Sequence, residues 1–205
     1  MKTHKKPPAD PARVKPARFL VLLPHRESRG LLNDYREQLF SAGIKGAWSF
    51  PPAAPLAVLS KSLGRNELRE IAQKIRSCTL ANDGKINAGK PEIVRCPGSA
   101  FSTEASQDAA AIFGPALDLP APDTILTAGN ENILHIFPKA VLCAALMPPC
   151  GIPEVCDFRQ FSFRAAVITN LVIRPLEYGA APFSFEWRLG PECWLPAYKR
   201  PKQRM

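Results

Sequence analysis

The sequence predicts an α+β protein with two antiparallel sheets facing a central cleft and helices on the outer faces. Three observations carry this expectation. Short apolar runs of strand length recur along the chain, about seven or more, and only two segments have clear helical periodicity. The segment FPPAAPLAVL, at residues 50–59, returns 87 residues later as FPKAVLCAAL, at residues 137–146, with five identities in ten positions and no gap. The first copy sits in a strand–helix–strand–helix half, so its return in the second half suggests a bilobal, pseudo-twofold duplication.

The elements follow in order. Residues 1–18 carry four prolines and few apolar side chains, which predicts a disordered, basic, Pro-rich tail. FLVLLP, at 19–24, is a compact apolar strand. Ser28 can cap a helix whose buried stripe is Leu31, Leu32, Tyr35, Leu39 and Phe40, with Gly43 near its stop. A second helix runs from about Asn66 to Cys78, with Leu68, Ile71, Ala72, Ile75 and Cys78 inward. Asn82-Asp83-Gly84 reads as a turn. PEIVRC, at 91–96, reads as a strand, whereas SQDAAAIFG, at 106–114, fits either a short helix or a small-residue strand. Residues 132–146 read as a strand followed by the second repeat copy, and residues 147–153 as a Pro/Cys/Gly loop. Residues 161–174 and 183–195 make a plausible closing hairpin. One domain therefore spans 19–196, and a short basic tail covers 197–205.

Composition narrows the function classes. The 205 residues are 46% hydrophobic and 22% charged, as in a globular protein able to bury its own core. No apolar run approaches the roughly 20 residues needed to span a bilayer, and no apolar run follows the basic N-terminus as in a secretory leader. The expected location is the cytoplasm, with no membrane partner. The net charge of +9 resides in the tails: Lys2, Lys5, Lys6, Arg13, Lys15 and Arg18 against Asp10 at one end, and Lys199, Arg200, Lys202 and Arg204 at the other. Such tails can pair with nucleic-acid phosphates, or serve only to keep the chain soluble. The six cysteines form no C-x-x-C pair, and Cys150 and Cys156 have no nearby histidine, so neither a metal nor any other cofactor is expected. Phosphate-loop, dinucleotide, zinc-protease and nucleophile-elbow motifs are absent. KPPADP and PPAAP fit polyproline ligands or plain loops.

The opening FLVLLP strand, the helix after it, WSFPPAAPLAVL, FPKAVLCAAL and the closing ITNLVIRPLEYGAAPFSFEWRLG together resemble the two-histidine (2H) phosphoesterase superfamily, which includes the 2′-5′ RNA ligase-like proteins and cyclic phosphodiesterases. The resemblance covers most of residues 19–196. It implies two central strands, each carrying His-x-Thr/Ser toward a shared cleft. Alternate side chains on a strand share a face, so histidine and hydroxyl would point at the same phosphate. One histidine would serve as general base and the other as general acid.

This chain departs from that pattern at every motif position. The first motif falls on Ala53 and Pro55, and the second, by the internal alignment, on Ala140 and Leu142. None of the four has a titratable or hydrogen-bonding side chain. The resemblance therefore implies a degenerate, catalytically inactive protein that binds RNA or a nucleotide through its cleft and tails, or scaffolds a protein partner. Two alternatives stand beside it. One is an active phosphodiesterase that uses relocated residues such as His25 or His135. The other is a purely structural interaction protein, which a closed cleft packed with the small residues of both copies would favour. His25, Arg26, His135 and Lys139 are the candidate anion-binding residues near the cleft. The plain alternatives are a surface-loop role for His25 and a satisfied strand histidine for His135.

Overall fold

The structure is a computed structural model that describes residues 16–79, 85–97, 111–126, 131–147, 162–175 and 185–195. Strand β1 (Ala17–Pro24) leads into helix α1 (Arg26–Ser41) and a 3-10 turn (Lys45–Trp48), followed by β2 (Ala54–Leu59) and helix α2 (Arg65–Thr79). Then come β3 (Lys85–Arg95), β4 (Ala111–Leu117), the single-turn α3 (Pro122–Ile125), β5 (Ile133–Ile136), β6 (Ala145–Met147), β7 (Ser162–Pro175) and β8 (Phe185–Trp194). All strand pairs are antiparallel, as the sequence predicts.

The strands form two antiparallel groups. One has the order β5-β2-β1-β7-β8, and the other β3-β4-β6. The long strand β7 joins them: Ser162, Phe163 and Arg164 pair with β3, and the rest pairs with β1 and β8. The closing hairpin partners are therefore β7 and β8. The segment SQDAAAIFG resolves as strand from Ala111 onward, and its first five residues lie outside the described ones, as does Asn82-Asp83-Gly84.

Both faces of β1 are buried, which explains why FLVLL is apolar without alternation. Leu20 and Leu22 pack with Leu32, Tyr35 and Leu39 of α1 and with Leu68, Ile71, Ala72 and Ile75 of α2. Phe19 and Val21 pack on the opposite face with Phe50, Ala53, Phe137 and Cys143. The helices thus cover one face of the larger group, and apolar strand and loop residues cover the other.

The helix boundaries and faces refine the sequence expectations. Helix α1 starts at Arg26, with His25 rather than Ser28 as its N-cap. Ser28 is buried one turn in, and the inward stripe is Ser28, Leu32, Tyr35, Arg36 and Leu39. Leu31 and Phe40, expected inside, are 52% and 48% exposed. They flank the stripe, and Arg36 takes an inward place because carbonyl oxygens await it. Gly43 ends the helix region with φ +92°, a conformation that favours glycine. Helix α2 opens with the Gly64 N–H donating to the Glu67 carboxylate at 2.6 Å, half of a capping box. Its last inward residue is Thr79, while Cys78 is exposed. Strand β1 begins at Ala17, so Arg18 is not a tail residue: its guanidinium donates to Ser62 Oγ at 3.3 Å. No described helix is long and apolar enough to cross a membrane.

Two glycines allow the close packing around the second repeat copy. A Cβ on Gly46 would lie 1.6 Å from the Leu146 carbonyl oxygen, and one on Gly114 would lie 1.8 Å from that of Leu142. Both obstacles are backbone and cannot swing aside. By contrast, a Cβ on Gly30, exposed within α1, would meet nothing within 4 Å. Gly114→Ala is therefore expected to destabilise the fold by about 3 kcal/mol or more, whereas Gly30→Ala is expected to stabilise it by roughly 0.5–1 kcal/mol. Urea unfolding of the two variants checks the contrast, and equal midpoints would contradict it.

Candidate functional site

The chain reaches the first repeat copy through a turn locked by Arg36. This side chain is only 2% exposed. Its Nε donates to the Ala47 carbonyl and its Nη2 to the Phe50 carbonyl. The guanidinium carbon also lies 4.7 Å from the centre of the Trp48 ring. Among the described residues no carboxylate pairs with it, so carbonyl dipoles and the ring face compensate the buried charge. Burial lowers the pKa of Arg36, and the nearby Cys143 thiol opposes that shift.

Arg36 thereby sets the path of residues 47–50, which deliver Phe50 and Ala53 to the face of β1 opposite the helices. Phe50 meets Phe19 edge-on, with ring centres 5.8 Å apart. Phe137, its counterpart in the second copy, lies roughly parallel to Phe19 at 6.5 Å. Phe19 thus contacts both of the repeated phenylalanines. The copies also touch through backbone. Cys143 N–H donates to Ala53 O at 2.9 Å, and Phe137 N–H to Leu56 O at 3.0 Å. Beyond Phe137 the second copy runs antiparallel along β4: Leu142 N–H donates to Pro115 O and Ala144 N–H to Phe113 O.

The faces of the two copies correct the gapless alignment. In the first, Ala53 and Val58 face the Phe19 cluster, while Ala54, Leu56 and Ala57 face the helix-side cluster. In the second, Val141, Cys143 and Leu146 face the Phe19 cluster, while Leu142, Ala144 and Ala145 face the helix side. The faces agree when positions are paired 88 apart, not 87. Phe50 and Phe137 keep the shorter spacing, so one extra residue lies between Phe137 and the strand-like part of the second copy. A one-residue shift moves every side chain to the other face. Ala140 and Leu142 therefore lie on the helix side, and the residues matching Ala53 and Pro55 are Val141 and Cys143.

None of these positions is open to solvent. Ala53 and Leu142 are 0% exposed, Val141 and Cys143 1%, and Ala140 2%. Cys143 holds the only thiol or hydroxyl among them. Burial pushes its pKa up to about 12, opposed in part by the Arg36 guanidinium. Burial likewise pushes the Cys96 thiol up, with a further rise from Cys143. Neither thiol supplies a nucleophilic thiolate near neutral pH.

The expected anion-binding residues divide into two groups. His25 and Arg26 line a groove of about 290 Å³ with Leu23, Pro24, Arg29, Pro51, Pro52, Val167, Trp187, Leu189 and Glu192. His135 and Lys139 are not among its lining. His135 lies on β5 opposite Val58, with its ring edge-on to Phe137 at 5.4 Å. Lys139 pairs with Glu92 at 2.7 Å on the surface. Sequence reading passed over Arg29, although its spacing of three from Arg26 puts both on one helix face. It also passed over Trp187, whose position follows only from the pairing of β8. The tail residues Lys2, Lys5, Lys6, Arg13, Lys15, Lys199, Arg200, Lys202 and Arg204 lie outside the described residues. No cluster of metal-ligating side chains occurs among the described residues.

Comparison of the chain with protein-family models, with curated proteins and with solved structures finds no match.

The raised thiol pKa values give a pH dependence with a definite sign. In the unfolded chain a cysteine ionises near 8.5, whereas folded Cys143 holds its proton to about 12. Between these values the folded state binds more protons than the unfolded one, so stability falls as pH rises. Each thiol contributes at most about 1.4 kcal/mol per pH unit to that slope. The expected outcome is that Cys96→Ala with Cys143→Ala loses less stability between pH 8 and pH 10 than the native chain, measured by urea unfolding under reducing conditions. Parallel losses would contradict the burial of these thiols.

Proposed function

We propose that this chain is a catalytically silent, 2H phosphoesterase-like protein that acts by binding or scaffolding. In this reading its two halves are pseudo-twofold copies that have closed on one another. The carrying observation is the burial of the motif positions. Ala53 on one copy, with Val141 and Cys143 on the other, lie in the cluster of Phe19, Phe50 and Phe137, and Pro55 is buried. General acid–base catalysis needs two titratable groups within hydrogen-bond reach of a reacting phosphate. At these four positions no pair of such groups stands, and all four are buried. None of the four carries a phosphate-binding hydroxyl.

The filled space favours a contact made elsewhere. RNA or a nucleotide would then meet the basic tails or the surface rather than the motif strands, and a protein partner is the second form of the same reading. His25 stands at the groove and His135 at an outer strand, so the two histidines do not flank a common reacting centre in the lining of that groove.

Turnover assays with a 2′,3′-cyclic nucleotide and a 2′-5′-linked dinucleotide test the reading. The expected result is no reaction above background. Each absent acid or base typically accounts for roughly 10²–10⁴-fold, and both are absent. Turnover abolished by His25→Ala or by His135→Ala would overturn the proposal in favour of relocated catalysis. In the same preparation, RNA binding that weakens with salt, with a shallower slope after removal of residues 1–15 and 197–205, would place the contact in the tails.

A further inference from the structure

We propose that the groove between the end of β1, the first turn of α1 and strand β8 binds a small aromatic anion, a flat ring carrying a phosphate or a carboxylate. The inference does not rest on the phosphoesterase reading. It starts from β8. In the β7–β8 register, Trp187 pairs with Ile173 and Leu189 with Leu171. Ile173 and Leu171 are 1% and 0% exposed, as parts of the Phe19 cluster. Their partners on the same face are 45% and 38% exposed. The apolar layer therefore continues onto β8 and ends there uncovered, at the groove.

The groove has the composition of a site for a small organic molecule. Its volume, about 290 Å³, falls just short of the roughly 300 Å³ at which such pockets begin. Leu23, Pro24, Pro51, Pro52, Val167, Trp187 and Leu189 give it apolar walls. The indole of Trp187 offers a face on which a flat ring can stack.

The charged residues give the sign of the ligand. Arg26 and Arg29 are both exposed and lie on the same face of α1, against the single carboxylate of Glu192. Among the described residues none of these three is ion-paired. Two guanidinium groups over an apolar floor favour an anion, and their planar donor forks match carboxylate and phosphate oxygens. A cation would be repelled, and an uncharged ring would gain nothing from the two guanidinium groups. The ligand that answers both halves of the groove has a ring at the tryptophan and an anionic group at the arginines.

Isothermal titration of the full chain with four probes tests this: 1-naphthyl phosphate, 1-naphthoate, 1-naphthol and inorganic phosphate. At least one naphthyl anion is expected to bind about tenfold or more tightly than naphthol and than phosphate alone. A preference for the phosphate or for the carboxylate identifies the source of the anion. Arg26→Gln with Arg29→Gln, and separately Trp187→Ala, are each expected to weaken that binding about tenfold. Both arginines are exposed, so their variant keeps the fold, and Trp187→Leu stands in for Trp187→Ala if the latter unfolds. Lys61→Gln, an exposed residue outside the lining of the groove, is expected to leave binding unchanged. Failure of both naphthyl anions to bind at about 1 mM, or binding indifferent to the arginine and tryptophan changes, would overturn the proposal.

Discussion

The hydrogen bond from Cys143 N–H to Ala53 O joins the two copies of the repeated segment, and much of the structure is arranged to permit it. It requires the backbone of the second copy to lie close to both the turn before β2 and strand β4. Gly46 and Gly114 make room, since a side chain at either would strike a carbonyl of the second copy. Arg36 fixes the turn itself by holding the Ala47 and Phe50 carbonyls. With that path set, Phe50 and Phe137 both reach Phe19, and the apolar layer between the copies closes. The layer is held by dispersion and solvent exclusion, and a backbone bond inside it gains strength from the low local dielectric.

This arrangement decides what chemistry the interior can support. A reacting phosphate needs water-accessible space and groups that exchange protons near neutral pH. The interior has buried thiols that hold their protons and a guanidinium already committed to backbone carbonyls. The chain turns its unpaired charges outward, and the first turn of α1 brings two of them beside the exposed end of the same apolar layer.

Much of this fold is legible in the sequence because the periodicity of each element is strong. Helix α2 follows its pattern from Leu68 to Ile75, and the double-sided burial of β1 matches its unbroken apolar run. Misreadings occur where tertiary partners override pattern. Leu31 and Phe40 look inward on hydrophobicity alone, yet Arg36 takes an inward place because two carbonyls satisfy it. The repeat itself is visible as letters, but its true spacing is not. Five identities favour 87, whereas strand faces require 88, because identity does not register which way a side chain points. The groove was only half visible: His25 and Arg26 stand together in sequence, but Trp187 and Leu189 join them through strand pairing across long separation.

Native-state hydrogen exchange at the Cys143 amide tests the closed packing of the two copies most directly. If the copies are joined as one core, this amide exchanges only when the whole domain unfolds, with the same free energy as the Leu20 amide in the central strand β1. Exchange much faster than that of Leu20, under conditions where the fold is intact, would mean that the copies open from one another and would contradict the account.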